Sequence, residues 1–291
     1  MDLICIRRKY RNVRKTVTLS FIITMLIYVF LAINHVYAGI EKEKNLEVDY
    51  AAISKAIEEQ KLAEELEQER IKASILTEEK IQKLNSIYKS DTKRVFLTFD
   101  DGPSKSVTVP ILDYLKQENI KANFFVLGSR VDLYPDIVKR AYKEGHYIAN
   151  HGYSHKYSEI YESAQSVLDE YNKTNEAVKR AIGNPIYNTN IFRFPGGSVG
   201  GTYNQIKSEA KQLLEQNKIV SIDWNALNGD AEGLQTEEQL VNRLKETVQN
   251  KNSVVILMHD TGNKNLTYNS LPQIIEYLRQ EGYEFKTFYD I

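Results

Sequence analysis

The 291-residue sequence has a single cysteine, and its charges nearly cancel. One cysteine, Cys5, excludes an intramolecular disulfide and any zinc site built from several cysteines. The net charge of −1 gives no basis for nucleic-acid binding. Glycine and proline are both missing between Gly39 and Gly102, so this segment has no strong helix breaker. These absences favour a long helical segment and a chemistry that does not depend on thiols.

The N-terminal segment combines a basic cluster with an apolar run. Six Arg and Lys residues occur between positions 7 and 15, and residues 16–40 include no Asp, Glu, Lys or Arg. A run of about 20 apolar residues can span a membrane, and preceding basic residues favour a cytoplasmic N-terminus. We expect residues 1–38 to form a single-pass membrane anchor, with the rest of the chain outside the cell. A secretory signal peptide cleaved near Ala38 is the alternative.

Residues 39–91 have the composition of a charged helical linker. Their apolar residues recur mostly three to five positions apart, which is typical of helix. Thr77 precedes two glutamates and predicts a helix N-terminus, and Leu76 and Ile81 have the spacing of a hydrophobic staple. The heptads are too irregular to predict a coiled coil. We expect a solvated spacer; a stalk that self-associates or binds a partner is the alternative.

From residue 92 to residue 291, short β-rich apolar runs alternate with helical patterns. This alternation predicts an α/β domain of parallel strands joined by crossover helices. About seven such units favour a distorted (β/α) barrel over an open sheet. The predicted strands are 95–99, 123–127, 146–150, 191–194, 219–222, 254–258 and 285–288, and the predicted helices are 107–118, 135–144, 163–182, 203–217, 237–250 and 271–281.

Polar motifs occur where several of these strands end. TFDDGP lies at the end of the first strand and HGYSH follows the third. RFPGGS, DWNALNGD and LMHD lie at the ends of the next three. Because the C-terminal ends of parallel barrel strands open on one face, we expect the side chains of these motifs to lie together.

Two histidines and an aspartate of these motifs predict a metal site. His151 and His155 are four residues apart, which on a helical turn places both imidazoles on one face. Taken alone, the pair also fits two surface histidines. Together with Asp101 from a neighbouring strand end, it forms an open three-ligand set suited to zinc, with iron, cobalt or manganese also compatible.

A metal site of this kind suits hydrolysis, which also needs a base and an acid. Asp100, next to the predicted ligand, is the candidate base, and His259 is the candidate acid. Arg193 either orients the base or forms an ordinary surface ion pair. Asp230 either holds the His259 ring or occupies a turn. Trp224, the only tryptophan, either stacks on a sugar or belongs to the core.

The five motifs, in this order, resemble those of polysaccharide deacetylases with a NodB homology domain, carbohydrate esterase family 4. The resemblance covers about residues 93–291, and TFDDGP is its most specific part. It implies a distorted (β/α) barrel of about seven strands. It further implies that Asp100 is the base, that Asp101, His151 and His155 bind the metal, that His259 is the acid, that Arg193 and Asp230 support base and acid, and that Gly196, Trp224 and Leu257 lie where substrate or oxyanion binds.

The chain departs from the family pattern at a few positions. Gly152 replaces the usual Ser or Thr of the second motif, and Gly196 stands where the third usually has Tyr. A backbone N–H at 196 can still bind an oxyanion. Leu227 and Ala231 stand where the fourth motif often has Asp and Trp, which leaves the support of His259 open.

The function expected from these features is metal-dependent removal of N-acetyl groups from N-acetylglucosamine in peptidoglycan, outside the cell. The predicted anchor close to the wall is the main reason for choosing peptidoglycan. Exopolysaccharide, chitin oligomers, N-acetylmuramic acid and acetyl esters of xylan are alternative substrates for the same chemistry. A catalytically silent glycan-binding protein of the envelope is an alternative of a different class.

Overall fold

The computed structural model describes residues 24–25, 28–29 and 50–291. The predicted anchor or signal peptide therefore lies almost entirely outside the described residues. Among the helices that are described, none is long and apolar enough to cross a membrane. The chain divides into two compact units, Met1–Leu62 and Ala63–Ile291, and the second includes the whole predicted α/β region.

The described chain forms eight strands, all paired in parallel in one sheet. They are β1 (Arg94–Asp100), β2 (Asn123–Val126), β3 (Tyr147–Asn150), β4 (Ile191–Phe192), β5 (Val220–Ser221), β6 (Ala226–Leu227), β7 (Ser253–His259) and β8 (Glu284–Phe285). Seven follow the order β5-β4-β3-β2-β1-β7-β6, and β8 pairs with the N-terminal residues of β1, before the point where β2 begins to pair with it. The sheet curls into a half-barrel, which confirms the predicted α/β fold of about seven parallel strands. The two-residue strand β6 was not predicted, because so short a run gives no β signal.

The helices follow the predicted pattern with small shifts at their ends. Two short helices, Gly128–Leu133 and Tyr157–Ile160, were not predicted. The last helix begins at Asn265, six residues before the predicted start, and includes Pro272, a residue favoured in a first turn. The helices are α1 (Tyr50–Ser74), α2 (Glu78–Asn85), α3 (Thr108–Gln117), α4 (Gly128–Leu133), α5 (Pro135–Lys143), α6 (Tyr157–Ile160), α7 (Ala164–Ile182), α8 (Asn204–Gln216), α9 (Glu237–Val248) and α10 (Asn265–Gln280), followed by the 3₁₀ helix Phe288–Asp290.

The long central strands β1 and β7 place the site. They pair over seven residues each, and the register ends with Asp100 opposite His259. Successive side chains of a strand point to opposite faces, so Val95, Leu97 and Phe99 pack under the helices. Phe96 faces the other way, into a second cluster inside the half-barrel. Because both faces are buried, the strand ends are held in fixed positions.

Helix α2 packs against the cluster of apolar side chains inside the half-barrel. Thr77 begins it as predicted, since its hydroxyl accepts the N–H of Lys80 at 3.2 Å. Leu84 and Ile87 are buried in the same cluster as Phe96. The compact unit therefore begins before residue 92, and the second part of the predicted linker lies on it.

Candidate active site

The adjacent carboxylates at the end of β1 have different partners. Asp100 is the last strand residue and is almost fully buried. Asp101 has φ of +74°, a left-handed conformation that Asp tolerates better than most residues. This turn separates the two side chains, so that Asp100 contacts Arg193 and Asp101 contacts His151 and His155.

Asp101, His151 and His155 form a group that fits a metal ion. Oδ1 of Asp101 lies 3.4 Å from Nε2 of each histidine. This oxygen is buried and has no hydrogen-bond partner in the described part of the chain, as expected of an oxygen placed for a cation. Burial raises the pKa of Asp101, but the neighbouring histidines outweigh it and lower the pKa overall, so the carboxylate is ionised as ligation requires.

The hydrogen bond of His151 fixes the nitrogen that faces this group. Its Nδ1 lies 2.8 Å from the carbonyl oxygen of Arg193. Since a carbonyl can only accept, Nδ1 carries the proton, and Nε2, on the side of Asp101, is the nitrogen available to a metal ion. A backbone carbonyl behind the imidazole is the usual arrangement of a metal-binding histidine.

The prediction that His151 and His155 lie on a helical turn is wrong. The segment between β3 and α6 is a loop, with φ of +81° at Gly152 and +57° at His155. The carboxylate of Glu170 accepts two consecutive N–H groups of this loop, at 2.8 and 3.0 Å. The two imidazoles therefore converge through loop geometry, and Gly152 suits the left-handed turn better than Ser or Thr would.

Arg193 is fully buried, which excludes the surface ion pair considered for it. It donates to Oδ1 of Asp100 at 2.7 Å and to the hydroxyl of Thr98 at 2.8 Å. Two further hydrogen bonds reach the carbonyls of Ile222 and Asp223, at 3.0 and 2.9 Å. The guanidinium therefore fixes the Asp100 carboxylate and leaves Oδ2 free.

His259 and Asp230 form a second pair, which is partly buried. Nδ1 of His259 lies 2.7 Å from Oδ1 of Asp230, and Oδ2 accepts the His259 N–H at 2.8 Å and the Thr267 hydroxyl at 2.6 Å. Burial lowers the pKa of His259, but Asp230 raises it more, to about 9. Asp230 thus supports the imidazole by charge; Ala231 is exposed and Leu227 belongs to β6.

The three remaining predicted residues lie around these groups. Gly196 is exposed, and its N–H has no hydrogen-bond partner in residues 50–291. Trp224 is half-buried with the Arg193 guanidinium 5.8 Å from its ring, and its contact with a sugar stays a prediction. Leu257 is nearly buried, two residues before His259 and on the same face of β7.

A groove that sequence reasoning missed adjoins the metal-binding group. Its volume is about 490 Å³. Arg130 and Ser129 belong to α4, which is too short to give a periodic signal, so the sequence did not reveal them. The groove is lined by Asp101, Leu127, Ser129, Arg130, Leu133, Ser154, His155 and Thr261.

Comparison with known proteins identifies the family. Residues 88–213 match the polysaccharide deacetylase family. The chain is 31% identical over 205 residues to a peptidoglycan-N-acetylglucosamine deacetylase of Bacillus cereus (strain ATCC 14579), covering 69% of this chain and 71% of that protein. A solved Streptococcus mutans CE4 esterase matches with a TM-score of 0.63 and 32% identity, over 73% of this chain and 91% of that one. The chain belongs to the polysaccharide deacetylase family.

Some relatives are much longer than the matched region. The peptidoglycan-N-acetylglucosamine deacetylase PgdA of Listeria monocytogenes serotype 1/2a is 36% identical over 195 residues, which are 67% of this chain. The chain spans 38% of PgdA's length and 66% of that of a relative from Bacillus subtilis (strain 168).

We expect the protein to bind one divalent metal ion per chain through Asp101, His151 and His155, and Zn²⁺ serves as the test ion. His155→Ala removes one of these ligands, so affinity should fall by more than the ~10–100-fold typical of losing an outer-shell partner. Asp100→Asn is the matched control, since Asp100 is bonded to Arg193 and should leave binding largely unchanged. Calorimetric titration of metal-free protein measures both. Equal Zn²⁺ affinity in wild type and His155→Ala would contradict the assignment.

Proposed function

We propose that this protein hydrolyses the N-acetyl groups of N-acetylglucosamine units in peptidoglycan, outside the cell. The observation that carries the proposal is the pairing of Asp100 with His259 at neighbouring strand ends, beside the Asp-His-His group. This arrangement brings a base and an acid to one cation site. The peptidoglycan N-acetylglucosamine deacetylases among the relatives support the substrate class.

In the first half of the proposed reaction, a water molecule is activated and attacks the amide carbonyl. Asp101, His151 and His155 would hold a divalent cation, for which we propose zinc, and it would act as a Lewis acid toward the amide carbonyl and the attacking water. Cobalt, manganese and iron suit the same ligands. Oδ2 of Asp100, 3.8 Å from Nε2 of His151, takes a proton from that water, while Arg193 holds the other oxygen. The oxygen of the water adds to the carbonyl carbon as this proton leaves.

The second half of the reaction uses the opposite side of the site. The N–H of Gly196 donates to the carbonyl oxygen as negative charge develops there. Nδ1 of His259 is bonded to Asp230, so Nε2 gives its proton to the amide nitrogen as the carbon–nitrogen bond breaks. The products are acetate and a free glucosamine amine.

The location of the protein is part of the same proposal. The basic cluster followed by residues 16–40 without Asp, Glu, Lys or Arg supports a membrane anchor with the catalytic unit outside. A signal peptide cleaved near Ala38 would also place that unit outside the cell. In both cases the unit would reach the cell wall.

The groove beside the metal-binding group supports a substrate that carries carboxylates. Arg130 lines it next to Asp101 and His155. No acidic residue within the described ranges pairs with Arg130, whereas Arg180 is paired with Asp132 at 2.8 Å. A guanidinium with no such ion pair binds carboxylates well, and the stem peptides of peptidoglycan carry them. Neutral chitin oligomers do not.

The reaction is tested by acetate release from purified peptidoglycan. We expect the zinc-loaded protein to release acetate, a chelator to abolish release, and added Zn²⁺ to restore it. Asp100→Asn should lower the rate by about 10²–10⁴-fold, the usual contribution of a general base. Release that a chelator leaves unchanged, or full activity in Asp100→Asn, would refute the mechanism. A metal-loaded wild type that releases nothing from any acetylated glycan would favour a silent glycan-binding protein.

The pH dependence tests His259 as the acid. Its role requires the protonated form, so kcat/KM should fall as pH rises through its pKa of about 9. Asp230→Asn removes the charge that raises this pKa, and the alkaline limb should move to lower pH. Thr267→Val, which removes only a hydroxyl donor to Asp230, should shift it less. Profiles between about pH 6 and pH 10 measure this, and superimposable limbs would exclude the Asp230–His259 pair from the acid role.

The substrate preference is tested at Arg130. Arg130→Gln should lower kcat/KM on peptidoglycan about tenfold, or ~1.4 kcal/mol, through loss of a carboxylate contact. Its kcat/KM on a neutral chitin tetramer should stay near that of the wild type. Arg180→Gln is the matched control, because this exposed arginine does not line the groove. Equal losses on both substrates would argue against carboxylate recognition.

A further inference from the structure

Tyr157 lies beside the metal-binding group, at the start of α6. Its ring centroid is 5.6 Å from that of His155, and 41% of the residue is exposed. On its other side it packs against Tyr161, again at 5.6 Å. The Tyr161 hydroxyl donates to the carbonyl of Pro195 at 2.6 Å and so ties the RFPGGS loop to this cluster. Tyr157 is thus held between a predicted metal ligand and that loop.

The hydroxyl of Tyr157 occupies the space that a side chain at position 196 would need. A Cβ added to Gly196 would lie 2.4 Å from the Tyr157 oxygen, closer than any real contact. Gly196 also has φ of +72°, which disfavours other residues. The absence of a side chain at 196 therefore lets a phenol hydroxyl from another part of the chain approach the Gly196 backbone.

Two hydrogen-bond donors, the Tyr157 hydroxyl and the Gly196 N–H, belong to residues that lie against each other. In the described portion of the chain, neither the Tyr157 hydroxyl nor the Gly196 N–H is hydrogen-bonded. Tyr161, in the same cluster, does have an acceptor. Free donors beside a cation site are suited to an oxygen that becomes negative during a reaction.

We propose that Tyr157 is a further catalytic residue, which donates a hydrogen bond to the acetamide carbonyl oxygen together with the Gly196 N–H. This inference rests on the proposed deacetylase function. The phenol keeps its proton throughout; its O–H bond only points at the oxygen. Because the negative charge is greatest in the transition state, the contact should act on kcat more than on KM.

The first test is Tyr157→Phe in the full zinc-loaded protein. We expect kcat for acetate release to fall by about 10- to 100-fold, less than the ~10²–10³-fold seen where such a donor is the main stabiliser, because the cation shares the charge. KM and Zn²⁺ affinity should stay close to wild type. Tyr203→Phe is the matched control: it removes a hydroxyl from the same cluster, 6.4 Å from Tyr157 between ring centroids, and should keep the wild-type kcat.

A second test does not depend on activity. Gly196→Ala should lower the melting temperature of the wild type, because its methyl group meets the Tyr157 hydroxyl. In a Tyr157→Phe background, the same substitution should lower the melting temperature by a smaller amount, because the hydroxyl is gone while the φ strain is unchanged. Strictly additive shifts in melting temperature would show that the hydroxyl does not lie against Gly196.

The outcomes separate this inference from the proposed function. Acetate release by wild type with an unchanged kcat in Tyr157→Phe would overturn the role of Tyr157 and keep the deacetylase. Loss of Zn²⁺ binding in Tyr157→Phe would also overturn it, because Tyr157 would then act through His155. No release by the zinc-loaded wild type from any acetylated glycan would overturn both.

Discussion

The rest of the site depends on the hydrogen bonds and the ion pair of the buried Arg193 guanidinium. Its side chain binds Asp100 at the end of β1 and carbonyls beyond β5, and its own carbonyl accepts the Nδ1 proton of His151. Removing one partner of a buried ion pair typically costs about 3–5 kcal/mol, although an apolar replacement of both can be neutral. Stability alone therefore does not explain the pair. It is better explained by the need to hold the proposed base and a metal ligand in one frame.

The doubled carboxylate is useful because the chain turns between its two members. Asp100 still follows the ladder of β1, opposite His259, while the positive φ of Asp101 directs its side chain to the two imidazoles. Two charges so close would repel each other in a buried site. Here each carboxylate has its own partners, since Arg193 neutralises Asp100 and the two imidazoles join Asp101 in the metal-binding group. The turn thus places a ligand and a base side by side without making them share a proton.

Much of this arrangement could be predicted from the sequence, because strand ends of a parallel sheet bring distant motifs together. The long strands β1 and β7 have clear apolar runs, and the charged residues after them mark the site. The path of HGYSH could not be predicted, since four-residue spacing fits both a helical turn and this loop. The contact of Tyr157 with Gly196 could not be predicted either, because it depends on a four-residue helix and on a loop that Tyr161 holds by a hydrogen bond. Such contacts have no periodicity in the sequence.

Two of the departures from the family pattern, Gly196 and Ala231, lie in loops that follow two-residue strands, whereas Gly152 follows β3 and Leu227 belongs to β6. The ladders of β4, β5 and β6 are too short to fix these loops, so side chains hold them instead. Asp223 accepts the Ser198 N–H at 3.0 Å and its hydroxyl at 2.5 Å, which ties the third motif to the fourth. β1 and β7 pair over seven residues each, so the backbone positions of Asp100 and His259 do not depend on these loops, whereas Arg193 and Asp230, which hold the two side chains, lie in the segments after β4 and β6. The strand ladder therefore sets the backbone positions of the proposed base and acid, and the segments after the short strands hold their side chains.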